Sequence, residues 1–114
     1  MVQYETESLD RSFAALADPT RRGVLERLAR SDASISALAA QFGMTLTGMK
    51  KHVGVLEQAG LVATTKIGRT RTCRLGHQAM KDEAAWIERY RKSWEERFDA
   101  LDRLLAREKE KKHD

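Results

Sequence analysis

The sequence predicts a mainly helical domain with one small β-hairpin, in the order ααααββα. Three observations predict it. Apolar residues recur at helical spacing through most of the chain. Residues 61–75 break that period with a run of β-branched side chains around a glycine. The last third returns to one long helical stripe. The chain has 114 residues, 41% of them hydrophobic, which is enough for one core but not for two.

Leu9, Phe13 and Leu16 stand at i, i+4 and i+7 and mark a first helix from near Ser8. Asp18-Pro19 opens a second. Aspartate caps a helix, and proline costs nothing at the first helical position, where its missing N–H would go unpaired anyway. Val24, Leu25 and Leu28 form the apolar stripe of that helix. Ser34 caps a short third helix carrying Ile35, Leu38, Ala39 and Phe42, and Gly43 stops it. Thr45 caps a fourth helix over about 45–59, with Met49, Val53 and Leu56 as its buried stripe and Ala59-Gly60 as its end. Two short helices joined by a tight glycine-containing turn are the sequence form of a helix-turn-helix.

The hairpin spans about 62–75. Val62, Thr64, Thr65, Ile67, Thr70 and Thr72 favour strands, and Ile67-Gly68-Arg69 supplies the turn. Helices followed by such a hairpin describe a winged helix-turn-helix. After Gly76, Ile87, Tyr90, Trp94, Phe98, Leu101 and Leu105 step by three or four residues, giving one fairly straight amphipathic helix. So long an apolar helix suits a small domain when a second copy covers it, the alternative being that the stripe packs only on its own chain. Residues 1–108 are expected to form one domain, with a charged, frayed tail over 109–114.

Composition excludes several classes. No run approaches the ~20 apolar residues of a membrane span. The start, MVQYETESLD, shows neither the basic nor the apolar part of a secretion signal. A single cysteine, Cys73, leaves no intramolecular disulfide and fits a reducing, cytoplasmic location. No nucleophile elbow, zinc-protease motif or phosphate-cradling loop is present, so the chain is not expected to be an enzyme.

Charge points to a partner. Between Met44 and Leu75 six cations meet one acid, Glu57. That block carries +5 of a net charge of +4, so the rest of the chain sums to −1. A basic block in an otherwise balanced domain suggests a polyanion, double-stranded DNA above all, with a solvated basic face as the plain alternative. At about 100° per residue, Thr47, Lys51, Gly54 and Gln58 fall opposite the buried stripe of the fourth helix, flanked by Gly48 and Lys50. Such a face can enter a major groove and meet base edges or phosphates. Gly48 costs ~1 kcal/mol relative to alanine inside a helix, which close approach of DNA or simple tolerance would explain. His52 lies at the edge of the buried side, where such a residue packs and donates one hydrogen bond, to its own chain or to a phosphate. Lys66, Arg69 and Arg71 bracket the hairpin turn and suit phosphate contacts, which add affinity more than sequence choice.

These residues resemble the ArsR-type winged-helix transcriptional repressors. The matching pieces are LADPTRRGVLERLA (16–29), ISALAAQFGMTLTGMKKHVGVLEQAGLV (35–62) and KIGRTRTCRL (66–75). A last helix reading WIERYRKSWEERFDALDRLL (86–105) is similar to that of one subgroup. The resemblance implies a homodimer that binds an inverted-repeat operator in double-stranded DNA and represses transcription, in a cytoplasmic, nucleoid-associated setting. It implies that Thr45, Thr47, Gly48, Lys50, Lys51 and His52 occupy the contacting stretch of the recognition helix, and Lys66, Arg69 and Arg71 the wing. It also implies a dimer interface from the first and last helices, here Leu9, Phe13, Tyr90, Trp94, Phe98, Leu101 and Leu105. Lys50 stands where many relatives carry serine.

Metal-sensing relatives carry a cysteine pair in the third helix, or His and carboxylate pairs in the last. Here the third helix reads ISALAAQF and the last has no His between His77 and His113. No metal and no cofactor are therefore expected, and Cys73 reads as an inert buried residue. A small-molecule effector fits the family, but the sequence names none. Two readings compete with the repressor: a winged-helix adaptor that binds protein instead of DNA, and a metal-responsive sensor, which is disfavoured.

Overall fold

The computed structural model describes residues 2–77 and 79–113, with side chains described for 7–77 and 79–111. The chain forms two compact units, Met1–Glu83 and Ala84–Asp114. The elements run α1 (Val2–Leu16), α2 (Pro19–Leu28), β1 (Ala33–Ser34), α3 (Ile35–Gln41), α4 (Leu46–Gln58), β2 (Val62–Ile67), β3 (Thr70–Leu75) and α5 (Lys81–His113).

The helix starts follow from their caps. The side chains of Asp18, Ser34 and Thr45 accept from the backbone N–H of Arg21, Ala37 and Gly48, with Pro19 opening α2. Gly43 closes α3 with φ of +62°, a left-handed turn that an L side chain rarely adopts. That turn lets α4 start at Leu46 and completes the helix-turn-helix.

One strand was not expected. Ala33–Ser34 pairs with β3, so the sheet has three antiparallel strands in the order β1-β3-β2. Two residues carry no period of their own, and β1 exists only through its partner. The β2–β3 hairpin turns on Gly68, at φ +63°, in a two-residue loop of the kind that matches strand twist. Two other boundaries differ from the sequence reading. α1 begins at Val2 and not near Ser8, because the residues before Leu9 are too polar to show an apolar period. α5 runs on through 109–113, where Glu and Lys are strong helix formers.

The core of the first unit gathers Val24, Leu28, Ile35, Leu38, Met49, Val53, Leu56, Leu61, Val62 and Cys73. With Ala15 of α1 it is drawn from helices α1 to α4 and the sheet. Met49, Val53 and Leu56 anchor α4 from one side and leave its other side outward.

Candidate nucleic-acid interface

The outward side of α4 carries Thr47, Lys50 and Lys51, all exposed. Thr45 is exposed too, but its Oγ1 accepts from Gly48 N at 3.0 Å and so is committed to the cap. A Cβ on Gly48 would lie 3.1 Å from that same oxygen, so glycine has a local packing reason there beside any approach of a ligand. Leu46, which the sequence reading left aside, opens the helix with 45% of its surface exposed.

His52 is not on that outward face. It is half-buried, and its Nδ1 lies 3.4 Å from Arg21 Nη1 of α2 and 3.8 Å from Oδ2 of Asp18, the cap of that helix. The guanidinium can only donate, so the imidazole accepts from it. Arg21 also donates from Nε to Ala15 O and from Nη2 to Ala14 O, while Arg22 Nη1 donates to Leu16 O. These arginines add donors to the carbonyls at the end of α1, of which Ala14 O also accepts from Ala17 N. Asp18, Arg21 and His52 thus join α1, α2 and α4 at one point. The Asp18 carboxyl is held below the usual carboxylate range, chiefly by the backbone N–H of Arg21.

The wing carries Lys66, Arg69 and Arg71, all exposed. Lys66 and Arg71 are paired in register, two cations opposite each other on one rung. With Lys50, Gly54, Glu57 and Arg69 they line a cleft of about 390 Å³ between α4 and the wing. Arg71 Nη1 donates to Thr64 Oγ1 at 3.0 Å, and Thr64 Oγ1 donates to Glu57 Oε2 at 2.9 Å. This chain ties β3 through β2 to the recognition helix. Glu57 is the acid that interrupts the basic block in the sequence, and that isolation was the signal of its role. Arg74 bonds Thr65 at 2.6 Å and serves the strand pair itself.

In the second unit the apolar stripe of α5 is bare in the single chain. Tyr90, Trp94, Phe98, Leu101 and Leu105 are exposed, together with Trp86 and Leu104, which the sequence reading had not included. Trp86 stacks on Tyr90 at 5.1 Å between centroids, Tyr90 meets Trp94 edge-on, and Trp94 lies 5.6 Å from Phe98. In the first unit, Leu9 and Phe13 of α1 are half-buried.

Among the described residues no group of three or more His, Cys, Asp or Glu side chains could hold a metal ion. Cys73 is fully buried, and burial pushes its thiol pKa up, with the nearby Glu57 charge adding to the shift. Among the described residues no helix is long and apolar enough to cross a membrane.

With this geometry in hand, comparison with known proteins is specific. A helix-turn-helix domain family matches residues 16–65, from the end of α1 to the middle of β2. The chain is 37% identical over 68 residues to the HTH-type transcriptional regulator Rv2034 of Mycobacterium tuberculosis, a match covering 60% of this chain and 64% of that regulator's length. It is 27% identical over 75 residues to the transcriptional repressor SdpR of Bacillus subtilis, covering 66% of this chain and 83% of SdpR. The crystal structure of the ArsR family transcriptional regulator RHA00566 superposes with a TM-score of 0.74 at 43% identity, covering 79% of this chain and 93% of that one. A capped recognition helix, a hairpin wing and a relative this similar over nearly its whole length place the chain in the ArsR family of helix-turn-helix transcriptional regulators.

Proposed function

We propose that the protein is a homodimeric repressor that binds an inverted-repeat operator, with α4 in the major groove and the wing against the adjoining phosphates. The observation that carries this is the Lys66–Arg71 rung facing Lys50 across the cleft. Like charges directly opposite on a ladder weaken it. A wing built that way costs the fold something, which the Arg71–Thr64–Glu57 chain offsets in part and a polyanion beside it offsets further.

Thr47, Lys50 and Lys51 meet base edges and phosphates, and Thr45 and Gly48 hold the first turn, whose N–H groups favour an anion. Lys66, Arg69 and Arg71 grip the backbone beside the wing. His52 acts from the other side, by keeping α4 seated on α2. A second copy covers Tyr90, Trp94, Phe98, Leu101 and Leu105 on α5, with Leu9 and Phe13 on α1. Two-fold symmetry then requires two half-sites about one helical turn apart. The likeness to SdpR supports repression as the outcome of binding. The setting is the cytoplasm, on nucleoid DNA.

The test is fluorescence polarisation of the DNA upstream of the protein's own gene against a scrambled duplex, at two salt concentrations. The reading expects strong preference for the native duplex, with affinity falling steeply as salt rises. Equal and weak binding to both duplexes would point to an operator elsewhere or to the protein-binding adaptor.

A further inference from the structure

We propose that Leu46 reads the 5-methyl group of a thymine in each half-site, an inference that rests on the operator-binding reading above. By spacing, Leu46 is the first member of the stripe that continues through Met49, Val53 and Leu56. Those three are 0–2% exposed, whereas Leu46 is 45% exposed. The stripe leaves the core at its first residue. There Leu46 lines a depression with Ile35 and Ser36 of α3, Lys50 of α4, and Arg69 and Arg71 of the wing.

A lone exposed leucine is common and means little by itself. Its place is what matters. It sits in the first turn of the recognition helix, the part that meets base edges, and its exposed neighbours there are cations and hydroxyls, with Ile35 the buried apolar one. Those neighbours suit phosphates and polar base atoms. The apolar feature that the major groove offers is the methyl of thymine, and an apolar side chain matches nothing on a phosphate. Leu46 therefore belongs to base readout, whereas the wing cations Arg69 and Arg71 beside it give affinity without sequence.

The test starts from a duplex selected out of a random-sequence library by the intact wild-type protein. Each thymine of the selected half-site is replaced in turn by uracil, which removes the methyl and leaves the pairing intact. At one position per half-site uracil should weaken wild-type binding about four-fold, the worth of one methyl group taken out of water. The Leu46→Ala and Leu46→Gln variants, checked by thermal melting, should show no difference between thymine and uracil at that position. A selected sequence with no uracil-sensitive thymine overturns the inference and leaves the operator-binding reading standing. Sensitivity that persists undiminished in a folded variant overturns it equally. A selection that yields no preferred sequence overturns the operator-binding reading, and this inference with it. Should neither variant fold, the uracil scan on the wild-type protein still decides.

Discussion

α4 and α5 carry stripes of the same period with opposite fates. On α4, Met49, Val53 and Leu56 are between 0 and 2% exposed. On α5, Tyr90, Trp94, Phe98 and Leu101 keep between 41 and 56% of their surface in the single chain. Both helices are amphipathic, and α5 carries the larger side chains. The difference is that α4 lies among α2, α3 and the sheet, while the α5 stripe has its ladder of rings as partners. A helical period therefore announces that a face wants cover. Whether the cover comes from the same chain or a second one is decided elsewhere, and here the aromatic weight of α5 fits the composition of an interface between subunits.

Four substitutions break or sharpen that contrast. Leu56→Ala opens a cavity in the dry core and should cost about 2–5 kcal/mol in chemical denaturation, taking DNA binding down with it. Phe98→Ala should leave the fold of the first unit intact and weaken self-association roughly thirty-fold, as loss of a ~2 kcal/mol hot spot does. Sedimentation equilibrium measures this, and a Phe98→Ala protein that unfolds yet stays dimeric would reverse the assignment of the two stripes. On the outward side of α4, Lys51→Ala should change stability by less than ~0.5 kcal/mol. It should nevertheless weaken operator binding and lower the salt slope by about one phosphate contact per subunit, read from titrations at several salt concentrations.

The smallest effect is expected at the α1–α2–α4 junction. The lowered pKa of Asp18 means that its ionised form is favoured in the folded chain. Its contribution is therefore complete above the ordinary carboxylate range near pH 4 and fades as pH falls through the lower folded value. Asn caps a helix nearly as well and does not titrate. Asp18→Asn should thus melt close to wild type at neutral pH and show a shallower loss of Tm in acid. A parallel acid limb in the two proteins would remove Asp18 as a source of that loss.

Much of the fold was legible because it is written locally. Asp18, Ser34 and Thr45 each cap the helix they precede in the sequence, and Gly43 and Gly68 each stand where the chain must turn left-handed. What was illegible depends on partners distant in sequence. β1 is a strand only because Ala33 and Ser34 meet Cys73 and Thr72. The fork of Arg21 spans α1 and α4, and nothing near it in the sequence marks it among the other arginines. The cationic face was visible as composition, but the Glu57–Thr64–Arg71 chain that orders it needed the strand register. Leu46 is the converse case. Its spacing continues the buried stripe, yet at the open end of α4 it stays 45% exposed.

Cys73 stands in the middle of the central strand, with Ala33 on one side and Thr64 on the other. Its thiol is covered by the core and has no route to solvent while the sheet stays packed on it, and burial opposes the reactive thiolate. A thiol reagent can therefore label the folded protein only in the moments when the sheet parts. The chain has one cysteine, so every labelled molecule records one such event at one place. The native protein carries its own stopwatch for the opening of the wing. The rate it keeps, with and without bound DNA, would tell how much the grip on a duplex slows that opening.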